Sequence, residues 1–129
     1  MEKRVMNFLI VFFGAGIGGA LRHGVNTGAA RLMGVNFPYG TMTVNIVGSL
    51  VMGLLGGWLA TKGEMAQPTR LFLLTGILGG FTTFSSFSLD TAVLWERGNI
   101  AGCALYVLAS LILSVGALFI GLWTIRQLP

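Results

Sequence analysis

Ten consecutive residues, GGFTTFSSFS from Gly79 to Ser88, combine glycines, hydroxyl side chains and phenylalanines within an apolar stretch. Glycine and threonine are poor helix formers, so this composition favours an interrupted helix between Gly79 and Thr83. Carbonyl and amide groups freed at membrane depth must face protein, water or an ion, because exposing each one to lipid costs several kcal/mol. The sequence therefore predicts either an ion site at the interruption or a kink packed against neighbouring helices.

Two phenylalanines after the interruption could contact an anion. Phe84 and Phe87 are three residues apart and share one helix face. The edge of an aromatic ring is positive, so two rings presented edge-on offer a weak anion site. Weak binding suits conduction because the ion must also leave, although two aromatic residues alone more often indicate packing.

Hydroxyl side chains in the last apolar run favour the anion interpretation. Tyr106, Ser110 and Ser114 follow one another at intervals of four residues and form one stripe on a helix face. A single serine usually bonds to its own helix, but three hydroxyls in register indicate a polar path. Asn45, in the second apolar run, would either donate to an anion near the phenylalanines or tie helices together.

Two charged residues lie near the ends of these runs. Arg22 follows the first run, where it can extend to the interface and attract anions to a vestibule. Asp90 is the only acid well inside a run. It could cap its helix, pair with Arg97 or lie at a pore mouth.

The elements that position these residues are membrane helices. Of the 129 residues, 54% are hydrophobic and only 9% are charged, too few to cover a soluble globule. We expect an all-α protein in which residues 1–129 form a single four-helix transmembrane domain. A straight helix from Thr69 to Glu96 would be about 42 Å long, which exceeds the roughly 30 Å of hydrocarbon. The four apolar runs are Val5 to Leu21, Tyr39 to Ala60, Leu71 to Trp95 and Ile100 to Ile125.

Glycines predict where these helices approach one another closely. Pairs spaced by four residues allow backbones to come into contact, which favours helix association in lipid. The pairs are Gly14 and Gly18, Gly53 and Gly57, and Gly98 and Gly102. After the first run, apolar residues at helical spacing predict a short separate helix in the interface, through Val25, Ala29, Leu32 and Met33.

The net charge of +4 is spread over the connections rather than gathered in one patch, which argues against nucleic-acid binding. Five basic residues fall on the side of the N-terminus and three on the other. This near balance permits insertion in both orientations and hence an antiparallel homodimer. The two sets are Lys3, Arg4, Lys62, Arg70 and Arg126 against Arg22, Arg31 and Arg97.

Taken together, these motifs resemble the Fluc (CrcB) family of fluoride channels over essentially the whole chain. The resemblance is carried by GGFTTFSSFS, by PYGTMTVNIVGS around Asn45, by GGALRH around Arg22, and by the hydroxyl stripe. It implies a channel rather than an enzyme, which lets fluoride leave passively through the bacterial inner membrane. It also implies an antiparallel, dual-topology homodimer with two fluoride pores and a central structural Na⁺.

The same resemblance implies roles for individual residues. Phe84 and Phe87 would be the pore phenylalanines, Asn45 would orient the pore and Arg22 would serve the vestibule. Carbonyl groups of Gly79 and Thr82 would hold sodium. The residues that would contact fluoride or line its route are Thr41, Ser85, Tyr106, Ser110 and Ser114. Many relatives have glutamate at the position of Asp90.

Two other functions fit parts of the pattern. A small dual-topology multidrug exporter matches the length and the weak charge bias, but a proton-coupled exchanger needs a buried carboxylate and the first run has none. A membrane scaffold would explain the glycines, yet it gives the hydroxyl stripe and the interruption no role.

Overall fold

The computed structural model describes all residues from Met1 to Pro129, and its regular structure is entirely helical. Four helical segments are long and apolar enough to cross a bilayer, so the chain is a multi-pass membrane protein. These segments are Glu2–Met33, Tyr39–Thr61, Gln67–Glu96 and Ile100–Gln127. Only 18 of the 129 residues are buried, so most apolar side chains keep part of their surface uncovered, as in helices surrounded by lipid.

Six α-helices and one π-helix build these segments. Helices α1 (Glu2–Met33) and α2 (Tyr39–Thr61) form the first two segments. The third consists of α3 (Gln67–Arg70), a π-helix (Leu71–Leu78), α4 (Gly79–Phe81) and α5 (Phe84–Glu96). Helix α6 (Ile100–Gln127) forms the fourth.

The prediction of a separate interfacial helix after Leu21 is wrong. Helix α1 continues without interruption to Met33, because neither proline nor a left-handed residue occurs before Gly34. Gly34 then ends the helix with a φ of 82°, a conformation that favours glycine. Pro38 precedes α2, where its missing amide costs no helical hydrogen bond.

Glycine contacts hold the segments together. Gly14 and Gly18 of α1 lie against the backbone of the π-helix and α4, leaving no room for a β-carbon. Gly53 of α2 lies in the same way against Leu118 of α6, and at Gly57 a β-carbon would come within 3.3 Å of the Leu122 backbone. The close approach predicted for these two glycine pairs is confirmed.

The prediction for the third glycine pair is wrong. Gly98 lies in the turn between α5 and α6, where its φ of 75° requires a left-handed backbone. Gly102 lies against the side chain of Asn99, and the Asn99 Oδ1 accepts a hydrogen bond from the Gly102 amide at 2.9 Å. These residues start a helix rather than join two helices.

The third segment departs from α-helical geometry twice. Its π-helical turns lie where Gly76 contacts Gly14 of α1. Between α4 and α5, Thr82 (φ −86°, ψ 158°) and Thr83 (φ −155°, ψ 120°) have extended backbones. Helix α5 therefore begins anew at Phe84.

Candidate functional site

Asn45 of α2 is joined to Thr83 by two hydrogen bonds. The Asn45 Nδ2 donates to the Thr83 carbonyl at 3.0 Å, and the Thr83 amide donates to Asn45 Oδ1 at 2.8 Å. One side-chain amide thus pairs with both backbone groups of an extended residue. Asn45 ties α2 to the third segment where that segment is not helical.

Thr83 also starts helix α5. Its Oγ1 accepts a hydrogen bond from the Ser86 amide at 3.1 Å, and the residue is buried. Ser85 Oγ lies 3.3 Å from the same Thr83 oxygen. Sequence reasoning missed this role of Thr83, although threonine is a favoured N-cap residue and would have located the helix start.

These bonds remove donors from two carbonyl groups. In a continuous helix, the amides of Thr83 and Ser86 would donate to the carbonyls of Gly79 and Thr82. They donate instead to Asn45 Oδ1 and Thr83 Oγ1. The Gly79 and Thr82 oxygens therefore lack their helical partners, and uncharged oxygen ligands of this kind fit a hard cation such as Na⁺.

A cavity of about 280 Å³ lies beside the interruption, between α2, α5 and α6; we call it the inner cavity. It brings together several residues predicted from the sequence. Among its lining residues are Asn45, Thr82, Phe84, Phe87, Ser110 and Ser114. None of the residues that line it is charged.

The hydroxyl groups of Ser110 and Ser114 are buried in this lining without a hydrogen-bond partner. An unsatisfied buried polar group costs about 1–3 kcal/mol. Most other hydroxyls in the chain are satisfied locally; Ser88 Oγ, for example, donates to the Phe84 carbonyl at 3.0 Å. Both serines therefore have a hydroxyl donor that no group of the chain uses.

The phenylalanine rings differ in exposure. Phe84 is 75% exposed, whereas Phe87 is half-buried, and their ring centres are 5.5 Å apart at an angle of 49°. The Phe87 ring also lies 5.3 Å from that of Tyr106. One chain therefore leaves most of Phe84 uncovered.

A second cavity, of about 320 Å³, is lined by residues of α1, α2 and α5 and of the connection between α1 and α2; we call it the mouth cavity. Thr41, Asp90 and Arg97 are among its lining residues. Tyr106 is completely buried, and its hydroxyl donates to Asp90 Oδ2 at 3.1 Å. Asp90 lines this cavity and is bonded to a tyrosine that the sequence did not suggest as its partner. A place for Asp90 at a pore mouth stays a prediction.

Comparison with known proteins identifies the family. A family model described as "CrcB-like protein, Camphor Resistance (CrcB)" matches residues 9–122. The chain belongs to the CrcB family. The resemblance inferred from the sequence motifs is confirmed.

Curated relatives of this CrcB-family chain match nearly its full length. A "Fluoride-specific ion channel FluC" from Methylobacterium nodulans is 60% identical, over 95% of this chain and 98% of the relative. "Fluoride-specific ion channel FluC 2" from Nitrobacter hamburgensis is 55% identical, over 95% and 99%. A FluC from Mesorhizobium japonicum is 54% identical, over 97% and 100%.

Four predicted site residues lie outside the lining of both cavities. One of them, Tyr106, is buried and bonded to Asp90. Arg22 is half-exposed on α1, and Gly79 and Ser85 are exposed in the third segment. The vestibule role of Arg22, the fluoride contact of Ser85 and the sodium contact of Gly79 stay predictions. The roles of the residues that line the cavities and of Tyr106 stay predictions as well.

Proposed function

We propose that this chain is a passive, fluoride-selective ion channel of the bacterial inner membrane that lets fluoride leave the cytoplasm. The observation that carries the proposal is the pair of buried, unpaired hydroxyls of Ser110 and Ser114 in a cavity shared with Phe84 and Phe87. The names of the FluC relatives support the same ion.

The chemistry of the inner cavity suits a small, strongly hydrated anion. Hydroxyl donors replace part of the hydration shell, and the positive edges of the phenylalanine rings add a weak attraction. No lysine or arginine lines this cavity, so the anion is not held by a full countercharge. Thr41, Tyr106 and Ser85 would extend the route, and Arg22 would raise the anion concentration at its entrance.

The functional unit we propose is an antiparallel, dual-topology homodimer with two pores. Phe84 is largely uncovered in one chain, and an inverted second copy would complete its surroundings. Thr82 and Thr83 lie midway along Gln67–Glu96, so the interruption would fall near the bilayer midplane. Carbonyls of Gly79 and Thr82 from both copies would then hold one structural Na⁺, a small monovalent cation suited to such ligands.

Membrane electrostatics would drive fluoride outward. Hydrogen fluoride crosses a bilayer as a neutral acid and dissociates inside, where the anion is trapped. The negative internal potential favours anion exit by about 2.3 kcal/mol per 100 mV. A selective leak needs no energy source and no catalytic residue.

A multidrug exporter is the weaker alternative. A proton-coupled exchanger of that kind requires a carboxylate in its substrate cavity, and none lines the inner cavity. Asp90, the acid within the third segment, is bonded to Tyr106 at the mouth cavity.

The proposal is tested by efflux from proteoliposomes, followed with fluoride and chloride electrodes. We expect rapid fluoride release and little chloride release. Phe84→Ile should suppress fluoride flux while the dimer stays assembled, as judged by size-exclusion chromatography. Equal rates for both ions, or flux of neither, would contradict the channel; full flux in Phe84→Ile would remove Phe84 from the pathway.

A further inference from the structure

The Tyr106 ring lies between one residue of the mouth cavity and one residue of the inner cavity. Its side chain is 0% exposed and belongs to the lining of neither. Its ring lies 5.6 Å from that of Phe37, which lines the mouth cavity, and 5.3 Å from that of Phe87, which lines the inner cavity. On α2, Thr41 faces the mouth cavity and Asn45, one turn later, faces the inner cavity. Tyr106 therefore contacts one lining residue of each cavity.

The Tyr106 hydroxyl has one proton, and Asp90 accepts it. The distance from the hydroxyl to Asp90 Oδ2 is 3.1 Å, and Asp90 belongs to the lining of the mouth cavity. While this bond exists, the hydroxyl presents only lone pairs elsewhere, which repel an anion. Ser110, one turn further along α6, differs because its buried hydroxyl has no partner. The Ser110 hydroxyl is thus a free donor, whereas the neighbouring Tyr106 hydroxyl is already bonded.

We propose that Asp90 is a positioning residue whose carboxylate competes with the passing anion for the Tyr106 hydroxyl proton. The Asp90–Tyr106 hydrogen bond then acts as a latch between the mouth cavity and the inner cavity. This inference rests on the proposed channel function, and the ligand is a small monovalent anion. An entering anion accepts the hydrogen bond in place of Asp90, and the bond to Asp90 re-forms when the anion moves on. The proton stays on the Tyr106 oxygen throughout.

Charge around the mouth cavity keeps the latch compatible with anion entry. Asp90 alone would repel an approaching anion, but Arg97 lines the same cavity and offsets its charge. The amides of Asn26 and Asn36 complete a polar lining. The part of the Asp90 charge that Arg97 does not offset repels an anion at Tyr106. This repulsion lasts until the Tyr106 hydroxyl turns towards the anion.

The functional test compares fluoride flux at increasing fluoride concentrations in Asp90→Asn, Tyr106→Phe and the double variant. Loss of the carboxylate charge lowers the half-saturating concentration in either background. When Tyr106 is present, Asp90→Asn also frees the tyrosine hydroxyl, and this lowers the half-saturating concentration by a further factor of about three to ten, the equivalent of one ordinary hydrogen bond. In the Tyr106→Phe background this further decrease should be absent. Equal effects of Asp90→Asn in both backgrounds would overturn the latch.

A control separates the latch from general charge effects. Glu96 is an exposed carboxylate on the same helix and lines neither cavity. Glu96→Gln removes the same charge from α5, and we expect it to leave the half-saturating concentration unchanged. A shift equal to that of Asp90→Asn would assign the effect to helix charge and overturn the proposal.

A spectroscopic test observes the hydrogen bond directly. The chain has two tyrosines, so Tyr39→Phe leaves Tyr106 as the only source of the tyrosine Raman doublet. The doublet should change on Asp90→Asn without fluoride, and on fluoride addition when Asp90 is present. An unchanged doublet in both cases contradicts the latch, whatever the flux. Absence of fluoride flux in the unaltered protein contradicts the proposed function, whatever the doublet.

Discussion

At the scale of single residues, several hydroxyl side chains have a hydrogen-bond partner in their own helix, but two buried hydroxyls have none. Thr43, Ser88 and Thr124 donate to carbonyls of their own helices, at 2.8, 3.0 and 2.7 Å. Ser110 and Ser114 are buried and donate to nothing within the chain. A membrane helix gains nothing from an unpaired buried hydroxyl, which is why we propose a ligand rather than packing for these two positions.

This contrast leads to opposite expectations for stability and transport. Ser110→Ala and Ser114→Ala each remove an unsatisfied group, so the thermal unfolding midpoint in detergent should stay the same or rise. Fluoride flux from proteoliposomes should fall about tenfold or more, because one hydrogen bond to the ion is lost. Ser88→Ala is the matched control and should leave the flux unchanged. A drop in stability without a drop in flux would assign the two serines to packing.

The structural role of Asn45 can be tested at Thr83, the residue to which it is hydrogen-bonded. Asn45→Ala leaves both backbone groups of Thr83 unpaired, and we expect a loss of about 2 kcal/mol or more in the free energy of unfolding. The start of α5 should loosen, which hydrogen exchange of the Thr83 amide would detect, and fluoride flux should fall. Thr43→Val, on the same helix, removes only a local bond and should change neither. Unaltered exchange at Thr83 in Asn45→Ala would show that Asn45 does not hold the Thr83 backbone.

At the scale of helices, α1 and the third segment meet backbone to backbone. A β-carbon at Gly18 would overlap the carbonyl oxygen of Ile77 and lie 2.8 Å from the Phe81 amide nitrogen. Backbone atoms of two packed helices cannot give way as a flexible side chain can. The spacing of α1 from α4, which ends at the interruption, therefore depends on this glycine.

We expect Gly18→Ala to destabilise the protein by about 1–3 kcal/mol, the usual cost of overpacking. Gly16, two residues earlier, has open space where a β-carbon would lie, with nothing within 4 Å, so Gly16→Ala should be neutral or slightly stabilising. Thermal unfolding of both variants in the same detergent measures the difference. Equal midpoints would show that α1 and the third segment can separate without cost.

Local signals explain which helix features could be predicted from the sequence. Tyr39 and Ile100 begin predicted runs and also begin α2 and α6, because Pro38 and Asn99 mark helix starts. The sequence pattern places the end of α1 too early, since Arg22, His23 and Gly24 resemble a connection although no stop signal precedes Gly34. The π-helix has no sequence signal, because it depends on how α1 packs against the third segment.

The candidate site shows the same division between local and long-range information. The stripe from Tyr106 to Ser114 follows from helical periodicity alone, and its serines do line the inner cavity. The pairing of Asn45 with Thr83 joins residues 38 positions apart, and that of Asp90 with Tyr106 joins residues 16 apart. Such partners follow only from the way in which separate helices pack.

At the scale of the whole molecule, the distribution of basic residues and the exposure of Phe84 both support the proposed assembly of two inverted copies. Basic residues are nearly balanced between the two sides, and Phe84 is mostly uncovered in one chain. The carbonyls freed at the interruption are uncharged, so two of them from one chain bind a cation more weakly than four from a pair of chains. The proposed dimer thus supplies both a cover for Phe84 and a complete set of ligands for Na⁺.

The proposed dual topology predicts that both orientations are needed for transport. Glu64→Lys with Gln67→Lys adds two positive residues to the side that already holds five and should fix one orientation. Lys3→Gln, Arg4→Gln and Arg126→Gln together remove three from that side and should favour the other. We expect each variant alone to give little fluoride flux, because two copies in the same orientation cannot form the antiparallel pair. Co-expression of the two should restore transport, whereas full flux from either one alone, with its single orientation verified by accessibility labelling, would rule out the antiparallel assembly.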